Sequence, residues 1–270
     1  MNSDDFEFIS KFIKEQAGIV LEPGKEYLVE ARLNPIIKEM GLPSLERLIN
    51  EVRIRATNDL KLKIIDALTT NETLFFRDTH PFQALKSTIL PEILSKKQGE
   101  KKLNIWCAAS SSGQEPYSIA MILKDHIENI KDWNIKFIAS DISEKMLARA
   151  KTGIYNQFEI NRGLPMHYLI KYFEKNGPDW QIKKEIRDMV HFEKINLMKP
   201  WSISAMDLIF MRNVLIYFGI ETKKDIFKRL EKTLHPDGYF FLGGSETTLG
   251  ISSEFGRIGI NKVHCYQLKK

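Results

Sequence analysis

Cysteine is scarce: Cys107 and Cys265 are the two in 270 residues, with no CxxC spacing and no histidine at ligand spacing. Neither a disulfide framework nor a zinc site is indicated, and no metal is expected. Long apolar runs are lacking too. None approaches the roughly 18 residues that a membrane span needs, and the start MNSDDFEFIS has no basic-then-apolar signal pattern, so a cytoplasmic protein without membrane insertion is expected. Glycine is missing where a phosphate cradle would use it: neither GxGxxG nor GxxxxGK[ST] occurs. The [DNS]PP[YFW] motif of amino-methylating nucleic-acid enzymes is also absent, and the aromatics are not interleaved with a basic stripe, which argues against a nucleic-acid partner.

What is present is an ordinary globular composition, 43% hydrophobic and 28% charged. Its net charge of +5 is uneven. Residues 1–80 hold 11 Lys/Arg against 14 Asp/Glu, and the remainder 29 against 21. A lysine-rich solvated surface accounts for this more simply than an acidic partner does.

Apolar residues at helical spacing (Phe6, Ile9, Ile13; Tyr27, Leu28, Ala31; Leu45, Leu48, Ile49, Val52) predict an all-helical domain over 1–80, ending at Asp78–Pro81. From residue 81 to 270 helices and strands alternate. Strands are predicted at 103–109, 135–141, 206–213 and 238–245, and helices at 82–97, 115–130, 144–152 and 222–234, the last capped by Thr222. The run KVHCYQL (262–268) suits an antiparallel edge. Between 153 and 195 the alternation breaks, and WQIKK and MVHFEKI predict a small inserted antiparallel β-subdomain. The fold class is α/β, doubly wound, with a mostly parallel sheet.

In such a sheet the ligand lies beyond the strand C-termini, at the switch point. The loop in NIWCAASSSGQEPYSIAM (104–121) is the first candidate. Glu115, in the first turn of the following helix, would repel a phosphate and could receive hydroxyl or ammonium donors. Asp141 ends the next strand, where an acidic side chain accepts from both ribose hydroxyls; capping the helix at Ser143 is its plainer role. A ribose with a cationic end fits better than a dinucleotide, and S-adenosylmethionine better than NAD.

NETLFFRD (71–78), IWCAASSSGQEPYSIAM (105–121), ASDIS (139–143), FEKINLM (192–198), IFMRNVLIYF (209–218) and LHPDGYFFLGGSE (234–246) together resemble, in that order, the motifs of the CheR family of chemotaxis receptor methyltransferases. The resemblance covers nearly the whole chain. It implies a helical N-terminal domain, a Rossmann-like S-adenosylmethionine-dependent methyltransferase domain and a β-subdomain. The implied reaction is methyl transfer to chemoreceptor glutamates, with S-adenosylhomocysteine as product. It further implies cofactor contacts from Asn71, Thr73, Arg77, Glu115, Asp141, Asn196, Leu197, Arg212 and Asn213. Arg77 is expected to steer the substrate carboxylate and Tyr217 to orient it. Without the resemblance, Asn71 and Thr73 read as turn residues, Arg77 as an arginine snorkelling over Phe75 and Phe76, and Tyr217 as core.

A glutamate acceptor, with a reference pKa of about 4.3, is ionised at neutral pH and needs no general base, consistent with the scattered histidines. Rival readings are methylation of a nucleic acid or another protein, and a non-catalytic signalling module that binds the cofactor. Two departures from the family pattern stand out. The segment Tyr27–Met40, which resembles the receptor-docking helix, has only Arg32 and Lys38 as basic residues, against Glu30 and Glu39. The β-subdomain is short, which favours an enzyme independent of a receptor tail peptide. The expected partner is the cytoplasmic helical bundle of a chemoreceptor, and a monomer is expected. Family members usually have Gly where Ala109 stands, and Gly113 is expected to supply the loop's close-approach position.

Overall fold

The computed structural model describes residues 1–260 and 262–269. Four helices come first: α1 (Ser3–Ala17), α2 (Glu26–Glu39), α3 (Leu45–Arg55) and α4 (Asn58–Leu68). Their starts follow from side chains that satisfy the free N–H groups of the first turn, Asn2 for α1, Ser44 for α3 and Thr57 for α4. Gly18, at φ +74, closes α1 in the left-handed conformation that glycine adopts cheaply. Ile9, Ile13, Leu33, Leu48, Ile49 and Ile64, all fully buried, form the centre of a separate apolar core.

The second part runs α5 (His80–Ala84), a π turn (Leu85–Ile89), α6 (Leu90–Lys96), β1 (Lys102–Ala108), α7 (Gln114–His126), β2 (Asn134–Asp141) and α8 (Glu144–Thr152). The insertion holds β3 (Ile154–Tyr155), α9 (Gln157–Asn161), α10 (Met166–Tyr172), β4 (Phe173–Asn176), β5 (Asp179–Ile182) and α11 (Lys184–Arg187). There follow β6 (His191–Lys194), β7 (Met206–Met211), α12 (Ile220–Thr233), β8 (Leu234–Phe241), β9 (Phe255–Arg257) and β10 (Cys265–Leu268). The main sheet has the order β6-β2-β1-β7-β8-β10-β9, parallel through β8 and antiparallel beyond it. A second, three-stranded antiparallel sheet has the order β3-β5-β4. Strand β7 is buried throughout and β1 at every residue after Lys102, as befits a parallel sheet covered on both faces.

Four details differ from the sequence reading. MVHFEKI is not part of the inserted sheet: β6 pairs in parallel with β2, Ala139 opposite Phe192, and Phe192 packs edge-on to Tyr117 at 5.5 Å. Its alternation reflects an edge strand of the main sheet with one covered face. Helix α12 starts earlier than expected, with Gly219 and not Thr222 at its cap, and the Gly219 carbonyl accepts from Lys223 N at 3.0 Å. Strand β8 already starts at Leu234, through His-Pro-Asp-Gly, because a register shift between Met206 and Leu208 absorbs the extra residues. The antiparallel edge is also two strands deep, β9 lying outside β10. No helix among the described residues is long and apolar enough to cross a membrane.

Candidate active site

The chain passes from β1 through β2 to β6 on one side and returns to β7 on the other, so the carboxyl ends of β1 and β7 flank the switch point. A cleft of about 320 Å³ opens there. It is walled by the ends of β1, β2 and β7, by the 69–77 segment, by 195–197, and by the end of α1 and the start of α2.

Leaving β1, the backbone alternates handedness, with Ala109 at φ +54, Ser111 at +48 and Gly113 at +95. This turns the Ser111 N–H toward β2, where it donates to Asp141 Oδ2 at 2.8 Å. Asp141 Oδ1 accepts from Ser143 N at 2.9 Å. Burial, only partly offset by these N–H bonds, raises the Asp141 carboxyl above its ordinary value. Each of its oxygens retains lone-pair capacity for a further donor, and the residue lines the cleft. Gly113 does not line it. A Cβ there would lie 3.0 Å from Ala150 Cβ and 3.1 Å from the Tyr117 ring and the Tyr155 hydroxyl. The close-approach role expected of Gly113 is therefore a packing role beneath α7, and Ala109 and Ser111 are the loop residues that face the ligand space.

Glu115 sits in the first turn of α7, buried, with Arg212 Nη1 donating to its Oε2 and the Cys107 thiol to its Oε1 at 3.4 Å. Burial and the Glu115 charge push the thiol of Cys107 well up, so it stays protonated as a donor. Arg212, whose side chain is 1% exposed, also donates through Nη2 to Asp78 Oδ2 at 2.6 Å and to the Arg77 carbonyl at 3.1 Å. Its guanidinium lies 5.7 Å from the Phe82 ring centre. Both terminal nitrogens thus serve carboxylates of the protein, and Arg212 borders the cleft as the residue that fixes Glu115.

The 71–78 segment is held by its neighbours. Asn71 O accepts from Ser111 Oγ at 2.7 Å, Phe76 N donates to Ser118 Oγ at 3.0 Å, and Arg77 Nη1 donates to Glu72 O at 3.2 Å. Phe76, Asp78 and Thr79 have φ of +49, +66 and +46. Non-glycine residues in this region cost roughly 1–2 kcal/mol each, a strain sustained by the packing of Phe75 on Tyr155 and Phe173 and of Phe76 on Tyr168. Asn71, Thr73 and Arg77 reach the cleft from this side. Opposite them stand Asn196, Leu197, Asn213 and Tyr217. Asn196 Nδ2 donates to Gln16 O at 2.8 Å, tying this wall to α1. All ten candidate residues from the sequence therefore border one cleft.

Sequence reasoning missed the wall supplied by the helical part. Ile19 forms an antiparallel bridge with Phe218, and Val20 N donates to Tyr217 O at 2.9 Å. Arg32, on α2, also lines the cleft, its Nη1 and Nη2 held by Leu68 O at 2.8 Å and Thr70 Oγ1 at 2.9 Å. Contacts across some 200 residues leave no periodic signal. No histidine lines the cleft, and no cluster of His, Cys, Asp and Glu among the described residues suits a metal ion.

Two family models match. "CheR methyltransferase, all-alpha domain" covers residues 4–69 and "CheR methyltransferase, SAM binding domain" covers residues 71–263. Similar proteins include "Chemotaxis protein methyltransferase Cher2" of Pseudomonas putida, 41% identical over 98% of both chains. "Chemotaxis protein methyltransferase 1" of Pseudomonas aeruginosa is 40% identical, again over 98% of both. Among solved structures, a glycopeptide N-methyltransferase complexed with S-adenosylmethionine is 10% identical with a TM-score of 0.38, covering 74% of this chain and 60% of that one, too distant to bear on function.

Proposed function

The chain belongs to the CheR methyltransferase family, and on that premise we propose that it transfers the methyl group of S-adenosylmethionine to glutamate side chains of chemoreceptors, forming methyl esters. The observation that carries this reading is the composition of the cleft. Acceptors for a ribose and a cationic amino acid (Asp141, Glu115) share it with a cation and a hydroxyl suited to a carboxylate (Arg77, Tyr217), and no histidine lines it.

The residues present fit the cofactor. Asp141 is 5% exposed yet keeps acceptor capacity on both oxygens, which suits two ribose hydroxyls. The loop 109–113 offers no phosphate cradle, and its nearest helix turn carries Glu115. Asn71, Thr73, Asn196, Leu197, Arg212 and Asn213 complete the binding surface. When bound, the cofactor would supply a sulfonium methyl for the acceptor oxygen, with sulfur retaining the S–CH₃ bonding pair.

The protein aligns and desolvates. Arg77, anchored at Glu72 O, meets the incoming carboxylate, and Tyr217, its backbone fixed by Val20, orients it through its hydroxyl. Apolar walls from Ala17, Ile19, Leu197 and Phe218 exclude water where the carboxylate must lose its hydration. Because the acceptor is already ionised, no proton has to move.

The test uses methyl-labelled cofactor and receptor-containing membranes. Label released as methanol by alkali is expected, and Arg77→Ala should suppress it while the fold is retained. Alkali-stable label, or label on nucleic acid alone, would end the ester reading.

A further inference from the structure

We propose that Glu246 is a positioning residue for methyl transfer, an internal anion that shapes the turn carrying Asn213 and Tyr217. The inference rests on the function proposed above. Past the end of β7, Asn213 takes φ +59 and Val214 φ −123, ψ −34. Successive residues of opposite hand point their N–H groups into one concavity, which ordinarily takes an anion from outside. Here the protein fills it. Glu246 Oε2 accepts from Asn213 N at 2.8 Å and from Gly243 N at 2.7 Å. Its Oε1 accepts from Val214 N at 2.9 Å and from Leu215 N at 2.7 Å.

Glu246 is 4% exposed, and the four donors provide its carboxylate with the stabilisation that water would otherwise supply. The fit leaves no room for change at Gly243. A Cβ there would meet Asn213 Nδ2 at 2.7 Å, Glu246 Oε2 at 2.8 Å and Asn213 N at 2.9 Å. The backbone of Glu246 is fixed in turn, its carbonyl accepting from His264 Nδ1 at 2.8 Å, which places the ring proton on Nδ1.

What the turn carries makes the clamp more than a staple. One residue before the clamped amides, Arg212 holds Glu115 and Asp78; among them, Asn213 borders the cleft; two residues after them, Tyr217 borders the cleft. A carboxylate suits four converging donors, two per oxygen. An amide of the same size does not, because its NH₂ group would oppose two of them.

Glu246→Gln in the full chain is therefore the test, assayed below its melting temperature with its circular dichroism matching wild type. At saturating cofactor and receptor, kcat should fall at least about tenfold and by more than KM rises, since orientation of the acceptor counts most in the transition state. The amide protons of Asn213, Val214, Leu215 and Gly243 should exchange slowly in the wild type and fast in the variant. Wild-type kcat and KM in the folded variant, whatever its melting temperature, would overturn the proposal, as would unprotected amides at these four positions in the wild type. If Glu246→Gln does not fold, Gly243→Ala strains the same clamp with the carboxylate retained: the same kcat loss is expected, and unchanged kinetics would refute the idea. A wild-type protein that forms no alkali-labile ester would instead defeat the glutamate assignment, leaving the amide exchange to judge the clamp.

Discussion

Arg212→Met tests the buried charge network directly. The arginine side chain is 1% exposed and its partner Glu115 11%, whereas Asp78 is half-exposed. Removing the cation leaves the Glu115 carboxylate buried with the Cys107 thiol as its remaining donor, a situation that costs about 3–5 kcal/mol. The lost pair with Asp78 adds under about 1 kcal/mol, since water screens it. At roughly 2–4 °C per kcal/mol for a chain of this size, the melting temperature should drop by about 6–24 °C, read by circular dichroism or calorimetry. The double variant Arg212→Met/Glu115→Gln removes both charges and should recover most of that loss while still binding S-adenosylhomocysteine poorly. The reasoning fails if the single variant melts within about 2 °C of wild type, or if the double variant is no more stable than the single one, because either result would mean that Glu115 is stabilised without the guanidinium.

Asp141→Asn should weaken S-adenosylhomocysteine binding by about 1.5–3 kcal/mol, measured by titration calorimetry. In the wild type that affinity should hold near neutral pH and decline as pH falls into the range somewhat above the usual carboxylate value, because a proton on Asp141 displaces the ribose donors; the asparagine variant should lack this decline. The sign for stability is opposite to that of a salt-bridged acid. With the folded-state value raised above the unfolded one, the native state binds the proton more tightly, so the contribution of Asp141 to stability improves as pH falls through that window. Ala109→Gly relieves a left-handed backbone costing about 1–2 kcal/mol but adds about 0.5–1 kcal/mol of unfolded-chain entropy. A small rise in melting temperature is expected, and a fall would show that the loop is not strained there. Gly113→Ala combines φ +95 with contacts of 3.0–3.1 Å to Ala150, Tyr117 and Tyr155, and should cost at least about 2 kcal/mol in thermal melts; a neutral result would refute the packing role.

The parallel strands were legible because a sheet covered on both faces gives short, near-continuous apolar runs such as LNIWCA and MDLIFM, rich in β-branched and aromatic residues and bounded by turns. The site residues were legible for a related reason: in a doubly wound fold, polar residues ending buried strands, as Asp141 and Arg212–Asn213 do, stand at the ligand crevice. The handedness of the 109–113 loop was not, since alternation of φ at Ala109, Ser111 and Gly113 is enforced by bonds to Ser140 and Asp141 from another strand. Nor was the placement of β6, whose short alternating run fits a hairpin and a sheet edge equally well until its partner is known. The Glu246 clamp escaped notice because a lone glutamate after Gly-Gly-Ser carries no spacing that names its four donors.

The bridge between Ile19 and Phe218 bears on the order in which a growing chain can acquire its binding cleft. The helices of residues 3–68 find their core partners locally and can pack while translation continues. The wall formed by Ile19 and Val20 must wait for Tyr217 and Phe218, and the turn carrying those residues waits in turn for Glu246 and, behind it, His264. During synthesis, assembly of the ligand site therefore comes almost last. Until then the backbone at Ile19 and Val20 lacks its partners at Tyr217 and Phe218, open to mispairing for as long as the ribosome takes to make roughly 200 further residues.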